Sequence, residues 1–207
     1  MNKIGIIGAG MIGATAAKLF VDAGHDVAVS NSRGLETLAA LVNDLGPRAR
    51  AMTPADAARW ADIVLLAVPW RTPEALPPAD AVAGKIVIDA MNPYTLDGGV
   101  TDLGASSSSE ETLKRLPGAR LVKAFNTIWF KHLAERGRKD LPVDDRHAIF
   151  VAGDDQDAKK RVMDLIEAIG FAPVDTGSLA AGGRRQQPNT ALYNKVLTHK
   201  EAQALLR

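Results

Sequence analysis

Lys3-Ile4-Gly5-Ile6-Ile7 runs straight into Gly8-Ala9-Gly10-Met11-Ile12-Gly13-Ala14, and the junction decides the fold. The first five residues are apolar without alternation, the mark of a strand covered on both faces of a parallel sheet. The next six spell G-x-G-x-x-G, and from Met11 onward Ile12, Ala16, Leu19 and Phe20 recur at helical spacing until Gly24. Glycines placed between a strand and a helix are the context that gives this short pattern meaning. Gly8 permits a tight turn, Gly10 lets the backbone approach a pyrophosphate, and Gly13 allows close packing of helix on strand. The unpaired N–H groups of the first helical turn then make an anion site at the positive end of the helix dipole.

The alternation continues down the chain. Strands are expected at 25–30, 49–52, 61–69 and 85–90, with helices at 35–45, from Thr53-Pro54 to Trp60, and, interrupted by proline, at 73–82. This order predicts an α/β fold, a Rossmann-type doubly wound and mainly parallel sheet. After Asn92-Pro93 regularity lapses, and 94–109, with Gly98-Gly99 and Ser106 to Ser109, reads as an exposed loop that is mobile when nothing is bound. Regular elements resume as a helix at 109–116, strands at 119–125 and 147–153, a helix at 155–169 and a strand at 171–176. A glycine- and arginine-rich turn and a terminal helix over 190–206 complete the reading.

The totals exclude several classes. There is no cysteine among 207 residues, so disulfides, thiolate metal sites and a cysteine nucleophile are ruled out. Twenty-five basic residues against 24 acidic ones leave no concentrated basic charge for nucleic acid or an anionic membrane. No apolar run reaches the roughly 20 residues that span a bilayer. A strand starting at residue 3 leaves no room for a secretion signal, so a cytoplasmic location is expected.

The end of the second strand sets the nucleotide. An NAD enzyme places Asp or Glu there, on the ribose hydroxyls. This chain has Ser30-Asn31-Ser32-Arg33 instead, with no carboxylate to repel a 2′-phosphate and a guanidinium to bind one, which favours NADP. Glu36 is expected a turn further on, pointing elsewhere. Val68, Pro69 and Trp70 after the fourth strand, and Asn92 and Pro93 after the fifth, fall where the ribose and nicotinamide of such a cofactor lie, with Trp70 and Tyr94 as pocket walls or as packing.

The motifs KIGIIGAGMIGATAAKLF, SNSR, ADIVLLAVPW, LVKAFNTI, VAGDDQDAK and IGFAPVDTGSL together resemble the deazaflavin-dependent NADP oxidoreductases, over residues 3 to about 180. LVKAFNTI and GFAPVDTGSL are more particular to this group and to the related reductase domain of membrane metalloreductases. The resemblance implies hydride transfer between NADP(H) and a deazaflavin or flavin-like small molecule. It implies that Gly8, Gly10, Met11 and Ile12 hold the pyrophosphate, that Ser32 and Arg33 beside Asn31 take the 2′-phosphate, and that Val68 and Pro69 line the nicotinamide. It further implies that Ala124, Asn126, Thr127 and Ile128 border the stacked second ring. On this reading 1–150 is the NADP-binding domain, 151–207 is a small αβ extension completing the acceptor cleft, and the terminal helix serves a homodimer.

No proton-transfer pair stands out. His25, His132, His147 and His199 are scattered, with only His132 expected near the pocket. Lys123 and Asn126 are three apart at a strand end, unlike the lysine and asparagine of hydroxyacid dehydrogenases, and Lys123 reads as a structural or solvent-facing residue. Asp154-Asp155 reads as a helix cap. Arg184 and Arg185 meet an anionic acceptor or are solvated. Hydride passing between two stacked rings has no alcohol or amine to deprotonate at the reacting carbon, so the missing dyad agrees with that chemistry and no catalytic residue is named. The alternatives are an NADP(H)-sensing module without catalysis and a reductase of the imine or pyrroline-carboxylate type.

Overall fold

The computed structural model describes all residues from Met1 to Arg207. Strands β1 (Lys3–Ile7), β2 (Asp26–Ser30), β3 (Ala49–Ala51), β4 (Ile63–Leu66), β5 (Ile86–Asp89), β6 (Arg120–Ala124), β7 (Ala148–Gly153) and β8 (Ala172–Gly177) form one sheet. Its order is β3-β2-β1-β4-β5-β6-β7-β8. All neighbours are parallel except β6 and β7, where Val122, Lys123 and Ala124 face Gly153, Ala152 and Val151 in antiparallel register. The chain winds one way from β1 to β3 and the other way from β4, so the crevice between β1 and β4 is the switch point at which such sheets bind ligands. The expected boundary at residue 150 falls inside β7, and both later strands extend the same sheet.

Alternate side chains of each strand feed two cores. Ile4, Ile6, Val27, Val29, Leu65, Ile88 and Val122 pack on one face, beneath α1 (Met11–Asp22), α2 (Ala39–Leu45) and α7 (Gln156–Ala168). Ile7, Ala28, Val64, Leu66, Val87 and Leu121 pack on the other, beneath α3 (Pro54–Trp60), α4 (Ala79–Val82) and α5 (Ser108–Arg115). Gly5 is a packing residue the sequence reading passed over. A Cβ there would stand 2.6 Å from the Ala57 carbonyl oxygen, so only glycine lets α3 lie this close to β1.

The helix starts are chemically marked. Thr53 accepts the Asp56 N–H ahead of Pro54, Ser107 forms a reciprocal capping box with Glu110, and Asp155 accepts the Ala158 N–H. Asp155 also takes a two-pronged grip from Arg120, which holds its carboxyl far below the usual carboxylate range, while Asp154 accepts the Leu179 N–H.

Three segments differ from the sequence expectation. Ser107, Ser108 and Ser109 are buried at the start of α5 and are not part of an exposed loop. The glycine- and arginine-rich turn is a short helix, α8 (Ala181–Arg185), in which a Cβ on Gly182 would come within 2.7 Å of the Thr176 carbonyl oxygen. The terminal helix is only α9 (His199–Leu206), because Asn189 and Asn194 adopt positive φ and Thr198 starts α9 with a capping box to Glu201. A short α6 (Phe130–Glu135), packed on α1, carried no periodic signal. No helix is long and apolar enough to cross a membrane.

Candidate functional site

A cleft of about 580 Å³ opens at the carboxyl ends of β1, β2 and β4. The glycine loop, Asn31, Ser32 and Arg33 form one wall. Val68, Pro69, Thr72 and Leu76 stand among the residues opposite. The three glycines of the loop serve different needs. Gly8 has φ +106° and its Cβ position lies 2.5 Å from the Ala67 carbonyl oxygen, so both the turn and the packing demand glycine. A Cβ on Gly13 would collide with the Gly8 carbonyl. Gly10 has an ordinary φ of −81° and nothing within 4 Å of its Cβ position. Neither backbone strain nor protein packing calls for glycine at residue 10; open space lies in front of it.

Asn31 shapes the loop. Its Oδ1 accepts the Arg33 N–H at 2.9 Å and its Nδ2 donates to Thr37 Oγ1 at 2.8 Å, while Thr37 donates to the Gly34 carbonyl. With Asn31 so engaged, Ser32 and Arg33 project into the cleft exposed, and the guanidinium makes no ion pair or hydrogen bond within the protein. The Glu36 carboxylate folds back toward Gly34 and does not line the cleft. Met11 is exposed at the first turn of α1, with Ile12 half-buried behind it.

Trp70 is not a wall of this cleft. It is 9 % exposed, its indole N–H lies 3.2 Å from both the Ser108 carbonyl and Thr112 Oγ1, and the Arg115 guanidinium stacks 4.7 Å from its ring centre. The indole therefore anchors α5.

Asn92, Pro93, Ala124, Asn126, Thr127 and Ile128 gather at the ends of β5 and β6, but in a closed environment. Asn92 Nδ2 donates to the Asn126 carbonyl at 2.9 Å, and Asn126 Nδ2 returns a bond to Asn92 Oδ1 at 3.1 Å. Asn126 also donates to the Gln186 carbonyl at 2.7 Å, and the Asn194 N–H donates to the Thr127 carbonyl at 2.9 Å. Tyr94 and Tyr193 join hydroxyls at 2.8 Å, and burial, with that bond, raises the Tyr193 pKa. The segment 186–194 thus lies over this end. Ala124 and Ile128 pack into the core, and Phe125, the residue directly after β6, is buried with φ +66°, a conformation costly for a non-glycine residue.

Beneath this cluster, Lys123 and Asp89 form an ion pair at 3.2 Å with both side chains fully buried. Lys123 is structural, as one expectation had it, but it does not face solvent. The pairing left no local sequence signal, since the partners are 34 residues apart. Gln186 and Tyr193, far along the chain, also belong to this end through their bonds to Asn126 and Tyr94.

None of the histidines lines the cleft. His132, on α6, is edge-on to Trp129 at 5.2 Å and lies 6.1 Å from His147. His147 is buried, and desolvation with nearby Arg136 pushes its pKa down to about 4. His25 accepts the Asn2 N–H, and His199 sits against Asp144. Arg184 is spent on the Ala105 and Ala180 carbonyls. No group of His, Cys, Asp and Glu is arranged to hold a metal ion.

Residues 3–93 match the family described as NADP oxidoreductase, coenzyme F420-dependent. A hypothetical protein, SMa0349, from Sinorhizobium meliloti superposes with a TM-score of 0.83 and 36 % identity over 96 % of both chains. The family match covers β1 to β5 of the chain. A second solved relative, from Arthrobacter sp. FB24 and provisionally named an F420-dependent NADP reductase, has a TM-score of 0.78 at 25 % identity, covering 96 % of this chain and 100 % of that one. The metalloreductase STEAP3 of Rattus norvegicus is 32 % identical over 183 residues, 86 % of this chain. The chain spans only about a third of that relative's length, 34 %.

Proposed function

We propose that this chain transfers hydride between NADP(H) and a deazaflavin or flavin-like acceptor. The observation that carries the reading is Gly10: a glycine the protein itself does not require, at the N-terminus of α1, with open space where a pyrophosphate would approach. The unpaired guanidinium of Arg33 beside Ser32, at the other end of the same wall, fits the 2′-phosphate.

On this reading the backbone N–H groups of Gly10, Met11 and Ile12 hold the pyrophosphate, and Gly8 shapes the turn that presents them. Val68 and Pro69 pack beside the nicotinamide ribose, and Asn92 and Asn126 border the ring. When bound, the nicotinamide supplies a hydride, two electrons and one hydrogen, to a planar acceptor whose ring nitrogen takes its proton from water. The chain's task is to hold two planes face to face and keep water from between them. No residue need move a proton at the reacting carbon.

The test is spectrophotometric. Purified protein is mixed with NADPH and either 8-hydroxy-5-deazaflavin or FMN. The expected result is loss of acceptor absorbance in step with NADPH oxidation. NADPH binding without turnover of either acceptor would reduce the reading to a nucleotide-binding module.

A further inference from the structure

The Lys123–Asp89 pair is an expensive thing to bury. Both side chains are 0 % exposed, and apolar residues of similar volume commonly replace such a pair at no loss of stability. Its bonds show what it holds. Lys123 Nζ donates to the Met91 carbonyl at 2.5 Å, to Asp89 Oδ2 at 3.2 Å and to Ser108 Oγ at 3.4 Å, using all three ammonium donors. Asp89 Oδ1 accepts the Met91 N–H at 3.0 Å, and Oδ2 accepts the Ser109 hydroxyl at 2.7 Å. The two charges therefore grip both polar groups of one residue, Met91.

Asn92 comes next in the chain, locked reciprocally to Asn126, and Asn126 lies three residues beyond Lys123 on β6. Asp89 and Lys123 are direct neighbours in the sheet register. The ion pair and the amide pair close a ring across the ends of β5 and β6, and the strained Phe125 is caught between Lys123 on β6 and Asn126 just beyond it. Within that ring Asn126 Oδ1, on a residue only 4 % exposed, has no partner in the protein.

We propose that Lys123 and Asp89 are positioning residues for hydride transfer: by fixing the Met91 main chain they set the Asn92–Asn126 pair against which the nicotinamide is oriented. The proposal rests on the reading of the cleft as an NADP(H) site. Lys123 touches neither cofactor nor acceptor; it acts through Asn92. Burial lowers its pKa while Asp89 opposes that shift, as expected of an ammonium held by one carboxylate away from water.

The deciding variant is Asp89→Leu/Lys123→Met, which removes both charges together and leaves neither unpaired. It is compared with the parent for thermal midpoint, for affinity toward 2′,5′-ADP, for the fluorescence of bound NADPH, and for single-turnover hydride transfer to FMN and 8-hydroxy-5-deazaflavin. The expected result is a lowered midpoint, because the Met91 main chain and the Ser109 hydroxyl lose buried partners, with the fold and the 2′,5′-ADP affinity retained, loss of the emission gain of bound nicotinamide, and transfer slowed on the order of a hundredfold. Parental emission and parental rate in this variant overturn the proposal. Should it fail to fold, Asp89→Asn/Lys123→Met keeps an acceptor for the Met91 N–H and frees the Met91 carbonyl; slower transfer with intact 2′,5′-ADP binding supports the proposal, and a parental rate again overturns it. A parent protein that does not bind 2′,5′-ADP overturns the reading of the cleft itself, and this inference with it.

Discussion

At the open cleft Ser32 and Arg33 stand exposed with their side chains unspent; at the closed end formed beyond β5 and β6, Asn92, Asn126 and Tyr193 are bonded to one another beneath residues 186–194. The first end is made from adjacent residues on one loop, shaped by Asn31. The second is made from three separate stretches of chain, around Asn92, around Asn126 and over 186–194. Recognition of a charged phosphate needs only donors in reach, because Coulombic attraction is long-ranged and tolerant of angle. On the proposed reading, orienting a flat ring needs fixed geometry, which a buried network whose members hold one another would supply. The two ends should therefore fail differently when altered.

The largest effect is expected at the closed end. Asp89→Leu alone leaves the Lys123 ammonium buried without a carboxylate, which should destabilise the fold by about 3–5 kcal/mol. A thermal melt should show the midpoint falling on the order of 10 °C. No change would mean that the pair is not buried as described.

Acidification tests how the closed end is tethered. The chain beyond Asn194 is tied to β7 by the His147–Thr198 bridge and the Ala148 N–H to Leu197 carbonyl bond. His147 has its pKa lowered to about 4 in the folded protein, against an ordinary value near 6.5 when unfolded. The folded state therefore binds the proton less well, so the stability is intact above about pH 6.5 and is lost progressively as pH falls toward 4, by roughly 3 kcal/mol in all. His25, whose pKa burial also lowers, acts in the same direction. Denaturant titrations from pH 7 to 4 on the parent and on His147→Gln should show a steeper loss in the parent; parallel curves would remove His147 as the cause.

Arg33→Ala probes the open end. With no protein partner lost, the melting temperature should not move, while NADPH affinity should fall about ten- to hundredfold and NADH affinity should hold. Equal weakening of both nucleotides would erase the distinction between a phosphate-reading end and the rest of the cleft. The smallest effect belongs to Tyr193→Phe, which deletes the hydroxyl contact with Tyr94, worth about 1 kcal/mol. Amide exchange at Asn194 should quicken roughly fivefold with 2′,5′-ADP affinity unaltered.

The same contrast explains what a single sequence can disclose. The glycine loop, the strand end at Arg33 and the caps at Thr53 and Asp155 are local, so residue type and spacing within a few positions identify them. The family match itself covers 3–93 and stops where Asn92 and Pro93 begin the closed end. Lys123 finds its carboxylate 34 residues away, and Tyr94 meets Tyr193 across 99. No periodicity marks such partners. Trp70 shows the converse: its position after β4 suggested the cleft, but a large indole beside the start of α5 gains more by burial and a bond to Ser108 than by facing solvent. The short α6 and α8 were invisible because one or two turns carry too few residues to show a helical repeat.

All of the residues lining the open cleft precede Pro77, whereas the closed end is finished only by Tyr193 and Asn194. Protein synthesis proceeds from the amino terminus, and folding follows it. Every residue of the open cleft is therefore translated before any of the residues that build the closed end.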